Sequence, residues 1–202
     1  MAQPKKISLR CPTITLSIAS LSLIVFLWPQ LSDALVYDRQ AILKGEIWRL
    51  VTAPVVHFSW PHLFWDLLVF AAAGWKIEDQ GFRRYGVVCG LGAAIPGFIF
   101  LFTSPEIARY GGLSGLATGA VVYLCLHEKN EMDNNKTIWL AILVFVGLKI
   151  VFEAITGNAV FVAANGTGFR VLPSVHLIGY AAALTVFVWS EPKNGFLRVF
   201  GG

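Results

Sequence analysis

Charge is what this sequence lacks: Asp, Glu, Lys and Arg make up 14% of its 202 residues, whereas 56% are hydrophobic. That mixture is far from a soluble globular chain, in which about a quarter of residues are charged. Cysteine is also scarce. The three, Cys11, Cys89 and Cys125, are odd in number and fall toward one end of the apolar segments traced below, so no disulfide framework is expected. The net charge of +4 has no accompanying basic stripe with interleaved aromatics, which argues against a nucleic-acid partner. Internal repeats and low-complexity runs are absent too.

What is present is a series of apolar stretches at 13–28, 62–78, 85–103, 112–127, 137–156 and 174–190. Each is near the about 17–25 residues that a helix needs to cross hydrocarbon. Six crossings give an all-α, polytopic membrane domain over 13–190, flanked by a segment at 1–12 and a tail at 191–202, with the lipid bilayer as partner. Both termini then lie on one side. With the N-terminus inside, Lys5, Lys6, Arg10, Lys76, Arg83, Arg84, Lys129, Lys136, Lys193 and Arg198 are inner, against Arg39, Lys44, Arg49, Arg109 and Arg170 outside. This asymmetry predicts cytoplasmic termini. The basic and then apolar N-terminus resembles a signal peptide, but no small-residue cleavage pattern follows Trp28 and Pro29, so a retained first helix is expected.

The outer connection 31–61 is too long for a mere link, and its Trp48 and Trp60 suit the headgroup region. The connection 157–173, with Asn165-Gly166-Thr167-Gly168, is expected to be flexible and to gate access. Small residues in the third and fourth stretches suit close helix packing. Pro96 is a possible kink.

The second, fourth and sixth stretches enter from the outer face, and each carries reactive groups in its first turns: His62 and Asp66, Ser114, and His176. At about 1.5 Å rise per residue these share one shallow slab and can meet. A serine and a histidine at matched depth form a nucleophile and base. Ser114 lies in Gly112-Leu113-Ser114-Gly115. Gly112 and Gly115 allow a substrate backbone to approach, and the helix N-terminus leaves amides, that of Ser114 among them, to face an oxyanion. His62 adds a side-chain donor. Blander readings exist for each signal. The glycines serve helix packing, and His62 with Asp66 forms an intrahelical hydrogen bond or, joined by His57, a metal site. Against metal, no further carboxylate or cysteine joins them at that depth.

At these residues the chain resembles the rhomboid intramembrane serine proteases, from about Ile47 to Trp189. Trp48-Arg49 matches the family pair of the first outer loop. His57 and His62 match the two histidines at the mouth of the second helix, the latter helping to bind the oxyanion. Gly74 and Glu78, then Gly112-Leu113-Ser114-Gly115, then His176 with Gly179 follow in family order. The resemblance implies a six-helix rhomboid-like bundle in a bacterial inner membrane. It implies a Ser114–His176 dyad opening to the outer face and cleaving a transmembrane or C-terminally anchored protein, with structural roles for Trp48, Arg49, His57, Glu78 and Gly179. No cofactor or metal is expected of such a hydrolase, and no third acidic residue is evident beside His176.

Three positions depart from the pattern: Asp66 replaces an asparagine that donates to the oxyanion, Thr118 a tyrosine packing on the sixth-helix histidine, and Ala183 a glycine. An ionised Asp66 would repel the developing charge, so it is expected to be protonated or to orient His62. Tyr110 before the serine motif, Leu172-Pro173 before His176, and Lys149 with Glu153 look more like the rhombosortase branch. The last pair reads equally as a plain intramembrane ion pair at one-turn spacing. A relative that keeps the fold, loses catalysis and binds transmembrane segments is the alternative function. A small transporter or channel would bring broken helices or an inverted repeat, and neither is seen.

Overall fold

The computed structural model describes residues 11–131, 136–158 and 172–190. The gate sequence Asn165 to Gly168, the tail 191–202 and the basic residues Lys5, Lys6 and Arg10 lie outside the described residues. Helix dominates the described chain: α1 Thr13–Leu27, α2 Pro29–Leu35, α3 Arg39–Leu43, α4 Arg49–Thr52, α5 Trp60–Gln80, α6 Tyr85–Thr103, α7 Ser114–Glu131, α8 Lys136–Thr156 and α9 Pro173–Ser190. Among the described residues a single two-residue antiparallel bridge joins β1, Tyr37–Asp38, to β2, Arg109–Tyr110.

Each apolar stretch of the sequence corresponds to one of the long helices. By length and composition α6, α8 and α9 suffice to cross a membrane. Two bent pairs meet the same measure when each is taken as one span: α1 with α2, bent by 115°, and Arg49–Val55 with α5, bent by 91°. Helix α7 is different. It is surrounded by α5, α6, α8 and α9, so protein rather than lipid covers it, and it tolerates Ser114, Thr118, His127 and Glu128. Helix α6 runs through Pro96 without a break. Leucines, phenylalanines and valines on the outward faces of α5, α6 and α8 remain exposed, as a bilayer solvent allows.

A carboxylate from one helix caps the start of another. Helix α1 has no side-chain cap of its own. The Glu78 carboxylate, from the end of α5, accepts hydrogen bonds from Ile14 N at 3.0 Å, Thr15 N at 2.8 Å and Thr15 Oγ1 at 2.6 Å. An anion there satisfies orphan amides and faces the positive end of the helix dipole.

The outer connection is itself folded around Arg49, which is 8% exposed. Its guanidinium donates to Asp33 O at 2.6 Å and Val36 O at 2.9 Å, and pairs with Glu46 Oε2 at 2.6 Å. Trp48 Nε1 donates to Ala34 O at 3.0 Å, while its ring stays exposed. Thr52 Oγ1 donates to Leu35 O at 2.7 Å. These bonds satisfy carbonyls that a loop at an apolar surface would otherwise leave bare. All three cysteines are free.

Candidate active site

The strand leading into Ser114 is held from the outer connection. Tyr37 pairs with Tyr110 and Asp38 with Arg109, and Arg39 N donates to Ala108 O at 3.0 Å. The Arg39 side chain anchors the same region by donating to Phe100 O and Leu101 O, at 3.2 and 2.7 Å. Tyr37, Phe100 and Tyr110 pack edge to face beneath it. Tyr110 is buried at the cavity wall, and burial, followed by the nearby Asp66 charge, pushes its phenol up and keeps it neutral.

Gly112 then takes φ +134°, and a Cβ there would lie 2.7 Å from the His62 ring, so only glycine fits. Its amide donates to Ala53 O at 3.3 Å, and the next amide, of Leu113, donates to His57 Nε2 at 3.3 Å. Helix α7 starts at Ser114, so its first-turn amides have no intrahelical acceptors.

Helix α9 lies against α7 in near backbone contact. A Cβ on Gly179 would be 2.0 Å from Gly115 O, and Gly115 in turn faces Val175. The two helices thereby bring Ser114 and His176 to the wall of one cavity of about 820 Å³, which His62, Asp66, Lys149 and Glu153 also line. Among the described residues no hydrogen bond yet joins Ser114 Oγ to His176. Such bonds commonly tighten only when substrate is bound. The cavity wall includes Gly111 rather than Gly112 or Gly115. Gly112 makes the close approach to His62, and Gly115 the close approach of α7 to α9. Thr118 also lines the cavity, and its hydroxyl is tied to Ser114 O at 2.8 Å.

One expectation is overturned. An acidic residue does stand beside His176: Glu153 Oε2 lies 2.8 Å from His176 Nδ1. Lys149 Nζ donates to both Glu153 oxygens at 2.8 Å and lies 3.4 Å from the same Nδ1. Glu153 is 1% exposed and His176 6%. The sequence carried a usable signal, since Glu153 sits in the last turn of α8 and His176 in the first of α9, so that both lie at the same end of consecutive helices. Which face of α8 met α9 was not readable without the packing.

Asp66 also has a defined place. Its Oδ2 is 3.2 Å from both His57 Nε2 and His62 Nε2, with the two rings edge to face at 4.9 Å. The carboxyl thus lies between the two imidazoles, in contact with both. The ligand atoms of His57, His62 and Asp66 lie within 4.8 Å of one another, close enough to offer three corners of a metal's shell. The same cluster is accounted for without an ion when a ring N–H donates to Asp66 Oδ2; His57 Nε2 serves either that carboxylate or the Leu113 amide at 3.3 Å, never both at once.

The sequence profile of the Rhomboid domain matches residues 44–189. The rhomboid proteases GlpG of Salmonella newport (strain SL254) and of Salmonella typhi are each 28% identical to this chain over 112 residues. That region is 54% of this chain and 40% of each relative, so the chain covers less than half the length of these curated relatives. Helical architecture, apolar spans and a profile match over most of the sequence agree: the chain is an integral membrane protein and belongs to the rhomboid family.

Proposed function

We propose that this protein is an intramembrane serine endopeptidase in which Ser114 is the nucleophile and His176 its general base. The observation that carries this reading is the shared cavity: a serine at a helix N-terminus and a histidine backed by a buried carboxylate line one space. His176 Nε2 takes the Ser114 hydroxyl proton as Oγ bonds to the peptide carbonyl carbon. The C–N bond then breaks, the proton passes to the leaving amine, and water hydrolyses the acyl ester. The oxyanion faces the first amides of α7, Ser114 N among them, and His62, where each donor is worth about 3–4 kcal/mol of barrier.

The substrate is a membrane-anchored protein, transmembrane or C-terminally anchored, whose helix unwinds near the outer face, since a helical backbone cannot present its carbonyl. The inner membrane of a bacterium, with cytoplasmic termini and the cavity opening outward, is the setting that the Lys and Arg distribution supports. In reconstituted vesicles the wild-type chain should cleave an anchored substrate and Ser114→Ala should not. Continued cleavage by the alanine variant refutes the assignment.

Asp66 favours a second reading, a catalytically silent relative that holds transmembrane segments, because a carboxylate near the oxyanion pocket opposes the developing charge. Folded wild-type protein that fails to react with a fluorophosphonate at Ser114 would support it.

A further inference from the structure

Beyond Lys136 at its first residue, helix α8 carries two ionisable side chains where lipid-facing helices usually carry none. Lys149 and Glu153 stand one turn apart, with side chains 15% and 2% exposed, and both oxygens of the glutamate accept from the lysine. An ion pair closed within α8 accounts for these two contacts. It leaves a third unexplained, the 2.8 Å approach of Glu153 Oε2 to His176 Nδ1 across to α9.

Proton counting gives that contact a direction. A lysine ammonium has only donors, and an ionised carboxylate only acceptors. With Lys149 on both its oxygens, Glu153 is a carboxylate, and at 2.8 Å from Nδ1 it must receive a hydrogen from the ring; Lys149 Nζ, at 3.4 Å from the same Nδ1, is then a neighbour and not a donor to it, since a protonated ring nitrogen has no lone pair to offer. The imidazole is then the Nδ1–H tautomer, and its Nε2 carries the lone pair that a base needs. Were Glu153 protonated, it would donate to Nδ1, the ring proton would sit on Nε2, and no proton could be taken from a serine. Lys149 cannot replace His176 as base, because an ammonium paired with a carboxylate has no lone pair.

We infer that Glu153 and Lys149 are positioning residues for His176: the glutamate fixes the tautomer and faces the imidazolium that forms, and the lysine holds the glutamate ionised in an apolar wall. The unit is then a serine–histidine–glutamate relay, closed by a lysine, rather than a two-residue dyad. This inference rests on the serine-protease reading above. In each half-reaction one proton moves to Nε2 and off again, while the Nδ1 proton stays on the ring.

The test uses the full chain in vesicles, a fluorophosphonate probe, and separate measurement of the maximal labelling rate, the half-saturating probe concentration and the unfolding midpoint. Wild type should label and Ser114→Ala should not; folded wild type that does not label refutes the protease reading itself. Glu153→Gln should lose about 10²–10⁴-fold in maximal rate with an unchanged half-saturating concentration, because an amide facing Lys149 turns its NH2 toward Nδ1 and selects the wrong tautomer. The double variant Lys149→Met with Glu153→Leu removes both charges of the ion pair together, so neither is left buried without the other, a replacement that is usually neutral for stability. It should melt near wild type and still label at least about 100-fold more slowly. Labelling of the double variant within about threefold of wild type, with wild type active, makes the pair structural and overturns the inference alone.

Discussion

Gly179→Ala is the sharpest probe of the α7–α9 contact. The new methyl carbon would sit 2.0 Å from Gly115 O, 2.9 Å from Gly115 C and 3.3 Å from Gly119 N. Carbon–oxygen contact becomes comfortable at about 3.3 Å, so the helices must part by more than about 1 Å at this level, and backbone on both sides prevents a side chain from giving way. Overpacking of this kind costs about 1–3 kcal/mol. A misplacement of about 1 Å between reacting groups costs about 10²-fold in rate. Both losses fall on one variant: an unfolding midpoint reduced by that free energy and Ser114 labelling about 100-fold slower. Gly147→Ala is the control, since nothing lies within 4 Å of a Cβ there, and it should keep or slightly raise stability. If Gly179→Ala matches wild type in midpoint and in labelling, the close approach and the geometry drawn from it are wrong.

Glu78→Ala removes three hydrogen bonds at the start of α1 and should cost about 1–3 kcal/mol in reversible unfolding, with Glu78→Gln recovering part of it; equal midpoints for all three would deny the cap. Asp66→Asn should label at or above the wild-type rate, because the amide can still brace one imidazole and donates where the carboxylate repels. Complete loss in that variant would assign the carboxylate a separate duty. Asp66→Ala frees both His57 and His62 and should lower stability by about 1–3 kcal/mol, read by the same unfolding assay.

The long helices were legible because bilayer thickness and the scarcity of charge leave little room for another reading, although α7, expected as a span, is not among the helices that suffice to cross a membrane; that Ser114 and His176 line one cavity could be anticipated because depth can be counted in residues. Three things were not. The outer connection reads as an irregular loop, yet Arg49 and Thr52 gather its carbonyls into short helices; such local order depends on which backbone groups come within one side chain's reach. Gly115 sits in a motif beside the serine, so proximity suggested substrate, whereas its contact with Val175 fixes a helix pair. Glu153 was seen as half of an ion pair, because sequence spacing reports partners one turn away and is blind to a neighbour on another helix. Asp66 lies between these cases. Its one-turn spacing from His62 was readable, but the second imidazole, from His57, came only with the fold.

The spacing of Lys149 and Glu153 bears on how α8 enters the bilayer. Because the two charges are four residues apart on one helix, they pair within α8 without help from any other helix, and the segment partitions as a dipole instead of as two separate ions. Helix α8 thus carries its own passport through the translocation machinery. The histidine arrives afterwards, on a helix made later in the chain, and docks onto a carboxylate already waiting for it.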